Sequence, residues 1–428
     1  MTTGIETGAP RPRAFGALSV RGYRAYLLTF MLTMMADNVE HVISYWVIFQ
    51  KFHSPALGGF AVVSHWLPYL LFSVGVGALN DRFDSRRLIQ AGAVLFIVAS
   101  AGWGYFFATG TLQMWHAMLL LVIHGCAGVL WMTSSQVLLF DVVGPAGLPS
   151  AVRLAATGRY LAVLVGPGVG SIIMLTLGTT HGIFLNTVFY LPLVVWLVGA
   201  PYGRHFRGDR PPPKRAVRGL ADIVQTAREV RRIPVLGAMI LLAGAASFWV
   251  GNSYQAQMPN FAHDLGHGDP GTAYSMLLAA DATGALLAGI LLESRGGIFA
   301  MRPLSAVLLA MAWACALCAF ALMRSYPLGL LFLFLAGFLE LSFNSTTQTL
   351  VQMNAPDANR GRVLGLYNMA AAGLRTFSGI TVGLVGSLVT VHVSLACAAG
   401  AFVVTGAVLL RRVRRPAVPG RAQVEAGP

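Results

Sequence analysis

Between Pro55 and Ala108, two apolar stretches flank a knot of charge, Gly77-Ala78-Leu79-Asn80-Asp81-Arg82-Phe83-Asp84-Ser85-Arg86-Arg87. Each flank exceeds twenty residues, and as a helix that length crosses the roughly 30 Å of hydrocarbon in a bilayer. Lipid cannot solvate five charged side chains, so the knot marks a tight turn at a membrane surface. The alternation of apolar run and charged turn continues along most of the chain. Hydrophobic residues make up 56% of it and charged residues 11%, against about 25% charged in an average soluble domain. The composition predicts an all-α polytopic membrane protein.

The net charge of +14 would suggest nucleic acid in a soluble protein, but its placement excludes that partner. Arg11, Arg13, Arg21 and Arg24 precede the first span, and Arg411, Arg412, Arg414 and Arg415 follow the last. Arg82, Arg86, Arg87, Arg204, Arg207, Arg210, Lys214, Arg215, Arg295, Arg302, Arg360 and Arg362 fall in every second loop. Basic residues gather on the cytoplasmic side. Both termini are therefore expected there, in the plasma (inner) membrane, with an even number of spans. Residues 1–24 lack the apolar core of a signal peptide. No lysine stands in a Walker A loop, so no ATP-driven cycle is expected. The cysteines Cys126, Cys315, Cys318 and Cys397 lie inside apolar runs and read as packing residues.

Apolar runs near 25–50, 56–79, 88–108, 114–140, 150–176, 182–200, 234–260, 271–292, 301–323, 327–353, 361–388 and 391–410 predict about twelve transmembrane helices. The long polar interruption from Tyr202 to Ile233 begins with Arg204-His205-Phe206-Arg207 and Pro211-Pro212-Pro213. It then reads as an amphipathic helix with Val217, Leu220, Val224 and Ala227 on the membrane face and Arg218, Asp222, Arg228 and Arg232 on the wet one. The flanking regions repeat each other. Gly77-x-Leu79-x-Asp81 recurs as Gly289-x-Leu291-x-Glu293, an offset of 289 − 77 = 212. Gln136 falls on Gln348, Leu138 on Leu350 and Leu154 on Leu366 at the same offset. Residues 1–201 and 234–428 are therefore expected to form two pseudo-symmetric six-helix halves joined by the linker 202–233.

The Gly77–Arg87 wording, G-x-L-x-D-R-x-x-x-R-R, resembles the helix 2–3 loop of major facilitator superfamily transporters. Residues 136–152 with Val165-Gly166-Pro167-Gly168-Val169-Gly170, the run Gln352–Val363, Trp46, and Ser54-Pro55 with Gly58 are similar to the enterobactin and macrolide exporter branch of that superfamily. The resemblance implies two parallel halves rocking around a central substrate site. It assigns a conformational gate to Gly77, Asp81, Arg82, Arg86 and Arg87. Gly166-Pro167-x-x-Gly170 resembles the helix 5 kink of antiporters, although Ala162 and Ser171 stand where that pattern has glycine.

Four acids lie inside spans: Asp37, Glu40, Asp281 and Glu340. Such residues face a polar cavity or a partner. Asp37, Glu40, His41 and Ser44 share one helical face, and close carboxylates beside an imidazole can hold a proton. Arg375, also mid-span, is expected to pair with Glu340, or failing that with Asp281. These acids with His41 and Arg375 form the expected proton-coupling set. His124, Trp131, Trp249, Asn252, Tyr254, Asn344 and Gln348 supply aromatic and hydrogen-bonding groups on spans 4, 7 and 10, which line the cavity in the resembled fold. They form the expected substrate site. No cofactor and no metal are expected. The loop His263-Asp264-Leu265-Gly266-His267-Gly268-Asp269 has metal-binding residue types but equally suits a solvated turn.

The reading is a monomeric, proton-coupled antiporter exporting a small amphipathic molecule such as a drug or siderophore. Its partners are the substrate, protons and the lipid bilayer. The alternatives are a lysophospholipid or lipid transporter or uptake symporter of the same fold, and a non-transporting sensor or assembly partner. No enzymatic motif appears.

Overall fold

The computed structural model describes residues 14–52, 55–203, 219–251, 253–265, 270–294 and 298–414, and no strand occurs among them. In hydrocarbon each backbone N–H and C=O must be satisfied inside its own segment, which leaves helices as the economical solution. α1 (Arg21–Phe52), α2 (Pro55–Arg82) and α3 (Ser85–Thr109) come first. The charged knot turns within a few residues because Asp84 caps α3, accepting from the Arg86 backbone N–H at 3.0 Å.

α4 (Met114–Gly199) then runs for 86 residues. It is three passes, bent at Gly144 (φ 68°, ψ 177°) and Gly178 (φ 77°, ψ 170°). A Cβ disfavours that backbone region, so glycine is what allows the reversals to be this short. The linker carries α5 (Leu220–Arg231). The expected unbroken span 234–260 is interrupted: α6 (Pro234–Trp249), α7 (Ser253–Ala256) and α8 (Met258–Asp264) share it. α9 (Pro270–Ser294), α10 (Pro303–Leu322) and α11 (Tyr326–Asn354) are regular. The expected helix 361–388 is also interrupted. α12 (Arg360–Asn368), α13 (Arg375–Ser378) and α14 (Val385–Leu388) are separated by π-helical turns at Met369–Gly373 and Gly379–Leu384. π-turns widen a helix locally and gather at functional sites. α15 (Val391–Arg414) closes the described chain.

Among the described residues, seven helices are long and apolar enough to cross a membrane on composition alone, with α4 counted once. With the three passes of α4 counted separately, and with α1, α2 and α12–α14 added, the chain makes twelve passes. Its outer surface is apolar, with Leu175 81% and Leu388 78% exposed, as lipid-facing residues should be.

The linker helix corrects one expectation. Asp222, assigned to the wet face of α5, is 2% exposed, while Val224, assigned to the membrane face, is 51% exposed. Asp222 turns inward because Arg362 at the start of α12 binds its carboxylate through Nε at 3.2 Å. A buried charge pair sets the rotation of the helix more strongly than one valine can. Val217 and Arg218 lie outside the described residues.

Candidate functional site

A cavity of about 610 Å³ lies between the chain before the linker and the chain after it. This is the size range of a small-molecule site. Asp37, His41, His65, Trp66, Trp131 and Arg159 contribute from one side, and Asp281, Glu340, Asn344, Gln348, Asn368 and Arg375 from the other.

On the first side, α1 presents Asp37, Glu40 and His41 toward His124 of α4. His124 Nε2 lies 2.7 Å from Asp37 Oδ1, and His124 Nδ1 lies 2.8 Å from Glu40 Oε1. A neutral imidazole has one N–H and one lone pair, so it can donate to only one carboxylate. The bridge therefore needs an extra proton, on the ring or on one of the acids. Ser100 donates to the other Glu40 oxygen, and Asn186 donates to Ser100 Oγ at 3.3 Å. His41 Nδ1 stands 3.8 Å from Asp37 Oδ2. Ser44, on the same helical face, donates back to the Glu40 carbonyl at 2.7 Å.

His41, His65 and His124 bring ring nitrogens within 4.8 Å of one another, close enough to hold a metal ion. Both His124 nitrogens are already committed to carboxylates in this arrangement. Of the outer loop, His263 and Asp264 meet at 3.2 Å on the surface, while residues 266–269 lie outside the described residues.

The second side repeats the logic with a phenol. Tyr254, fully buried at the end of the α6–α7 pass, places its hydroxyl 3.3 Å from both Asp281 oxygens and 3.1 Å from Glu340 Oε2. Gln255 Nε2 donates to Asp281 Oδ2 at 2.9 Å. One hydroxyl carries one proton, so Tyr254 donates to only one of the two acids at a time, and Gln255 gives Asp281 a second donor.

Arg375 does not pair with Glu340 as expected. Its Nε donates to the Ala371 carbonyl at 3.1 Å and its guanidinium lies 5.0 Å from the centre of the Trp66 ring. Tyr254 takes the place that Arg375 was expected to fill beside Glu340.

The other expected residues divide. Trp131, Asn344 and Gln348 line the cavity, and Pro167 touches its edge. His124 is buried behind it, bridging acids and not forming wall. Trp249 is packed against the core of the second half, its carbonyl accepting from Thr381 Oγ1 at 2.8 Å. Asn252 lies outside the described residues. Gly166 and Gly170 pack on Asn38 and Val39 of α1. Trp66 and Arg159 are wall residues that sequence reading did not name. Arg159 was discoverable as a basic residue inside the apolar run 150–176.

At the surface carrying the Gly77–Arg87 turn, the two sides are latched twice. Asp81 accepts the backbone N–H of Gly361 at 2.6 Å and of Arg362 at 3.2 Å, and pairs with Arg362 Nη1 at 3.0 Å. The start of α12 thus meets a carboxylate with free N–H groups and the positive end of its dipole. Gly77 and Gly361 allow the approach: a Cβ on Gly77 would fall 2.1 Å from the Gly361 carbonyl oxygen. In the other latch, Glu293 accepts from Ser150 and pairs with Arg153 Nε at 2.8 Å. The latches are related by the internal repeat, since 293 − 81 = 212 and 362 − 150 = 212. Of the basic residues assigned to the gate, Arg86 binds Asp84 at 2.7 Å, Arg87 binds Gln90 at 2.9 Å, and Arg82 lies over Phe83 at 5.3 Å. The arginine that crosses to Asp81 is Arg362.

Twelve passes, a polar cavity between two repeat-related sets of helices, and paired latches define a membrane transporter. Residues 25–379 match the sequence profile of the Major Facilitator Superfamily. The chain belongs to that superfamily, whose members are transporters and not enzymes. It is 24% identical to the enterobactin exporter EntS of Citrobacter koseri across 64% of this chain and 65% of the exporter. It is 24% identical to the multidrug efflux pump Tap of Mycolicibacterium fortuitum across 82% and 86% of the two chains. Among solved structures, the Escherichia coli fucose:proton symporter FucP superposes with a TM-score of 0.71 at 13% identity, covering 94% of this chain and 100% of that one. The proton:xylose symporter XylE gives 0.69 at 15% identity, covering 92% and 95%. At those identities the likeness concerns the fold.

Proposed function

We propose that this protein is a proton-coupled antiporter that exports a small amphipathic molecule by alternating access. What supports this reading is that two hydrogen-bond networks, Asp37–His124–Glu40 and Asp281–Tyr254–Glu340, each set two carboxyls against one shared partner, and both reach the wall of one cavity. A group that stores a proton and faces the substrate couples the two, because protonation changes the charge the substrate meets. The latches at Asp81 and Glu293 belong to the state closed on their own surface, which the basic loops assign to the cytoplasm. Breaking them while residues 1–201 rock against residues 234–428 exposes the cavity inward. The named exporters among the relatives support efflux as the direction. The protein acts in this scheme as a monomer in the inner membrane with both termini cytoplasmic.

Respiration-energised everted vesicles loaded with acridine orange test the coupling. Adding 1-naphthoate is expected to release the dye quench in the wild type and not in Asp37→Asn. Equal release from the variant overturns proton coupling.

A further inference from the structure

Two arginines in the cavity wall are left over by the networks described above. The carboxylates are locally satisfied: Asp37 and Glu40 share His124, and Asp281 and Glu340 share Tyr254. Arg159 and Arg375 line the same cavity, yet neither has an ion-pair partner among the described residues. Arg375 uses Nε alone, toward the Ala371 carbonyl, and its four Nη protons have no acceptor there. Arg159 stands 5.4 Å from the centre of the Tyr160 ring and donates no hydrogen bond to a described residue. Membrane-embedded arginines ordinarily pair with one another's counter-ions or with carbonyls. Two unpaired cations facing one low-dielectric space repel, and a ligand that neutralises them is favoured by what they lack.

On the antiporter reading, to which this adds the substrate class, we infer that the transported molecule is an organic anion whose carboxylate or phosphate is bound by Arg159 and Arg375. Guanidinium forks match the geometry of both groups in a way that lysine does not. Trp66 holds the Arg375 plane from one side, and Trp66, Tyr69 and Trp131 supply flat apolar wall for the rest of the ligand. Asn344 and Gln348 are placed to accept or donate to its neutral polar groups. The charge preference thus runs opposite to a simple count in the cavity wall, where Asp37, Asp281 and Glu340 outnumber Arg159 and Arg375, because each of those acids has a hydrogen-bond partner of its own.

Equilibrium dialysis of protein in nanodiscs, with no pH gradient, tests the site separately from coupling. The probes are 1-naphthoate, its neutral amide 1-naphthamide, the cation 1-naphthylmethylammonium, and lysophosphatidylglycerol. The expected result is saturable binding of naphthoate or of lysophosphatidylglycerol at least tenfold tighter than of the amide and the cation. Arg159→Gln and Arg375→Gln each weaken it at least tenfold. If a glutamine variant does not fold, the lysine variant keeps the charge, loses the fork and still binds several-fold more weakly. Which anion binds distinguishes a soluble substrate from a lipid headgroup. Equal binding of amide and anion, no binding of either anion, or anion binding indifferent to both arginines overturns the inference. Anion binding that persists while dye release is absent overturns coupling alone and leaves the anion site standing.

Discussion

If the cycle is proton-coupled as proposed, His124 is the residue at which proton storage and substrate passage separate. His124→Gln keeps amide donors for the two acids but cannot take up a proton, so it cannot supply the positive charge of an imidazolium between two ionised carboxylates. Transport driven by a pH gradient should fall by more than tenfold, while exchange of substrate at equal pH survives. Loss of both activities would make His124 structural. His124→Ala instead strands Asp37 and Glu40 without their shared partner, and removing one member of a buried charged set costs about 3–5 kcal/mol. That should appear as a lost folded fraction on size-exclusion chromatography. For Arg375 the geometry reverses the simple expectation of a pair. Because Tyr254, not Arg375, meets Glu340, Glu340→Gln should not rescue transport or yield in Arg375→Ala. Recovery in the double variant would restore the pair. The acids of α1 were legible because charge in an apolar run is conspicuous and helical spacing puts them on one face. Their partner was not, because which of several histidines reaches between them depends on how α4 packs on α1.

At the level of elements, the two latches are alike in design and unequal in reserve. Arg362 holds both Asp81 and Asp222, so Asp81→Asn leaves it one carboxylate. Arg153 pairs with Glu293 at 2% and 0% side-chain exposure, so Glu293→Gln leaves it none among the described residues. The second substitution should cost about 3–5 kcal/mol and lower the thermal midpoint. The first should cost less and chiefly shift the protein toward the state open at this surface. Equal thermal midpoints would remove the distinction. Gly77→Ala should act on the same equilibrium without touching a charge, since its methyl would collide with the Gly361 carbonyl oxygen 2.1 Å away. Slower transport with unchanged yield is expected, and wild-type turnover would show that the helices do not close this far. The resemblance pointed to Asp81, and the structure places its carboxylate against the start of α12. The resemblance could not name Arg362, 281 residues away in sequence. The breaks in the 234–260 and 361–388 passes were likewise hidden, because π-turns and short interruptions leave the apolar pattern intact.

For the whole molecule, rocking predicts one large motion. Spin labels at Arg82→Cys and Ala358→Cys, on exposed positions flanking the Asp81 latch, should lie close together in the closed state. They should move apart when Asp81→Asn and Glu293→Gln are combined, as in rigid-body alternation of transporter halves. A distance distribution that does not change would exclude rocking about these latches. The number of passes, their helical nature, the turn at Gly77–Arg87 and the 212-residue repeat were settled by sequence alone. A bilayer permits few backbone solutions, and charge placed in an apolar chain can only lie at a surface or in a cavity. Tertiary structure alone decided which charge meets which: His124 between two acids, Tyr254 between two more, Arg362 across the latch, and Arg159 with Arg375 in the cavity wall without an ion-pair partner among the described residues. Pairing depends on distances of a few ångströms between residues hundreds apart in sequence, and in a low-dielectric interior those few ångströms decide whether a charge is satisfied or waits for a ligand.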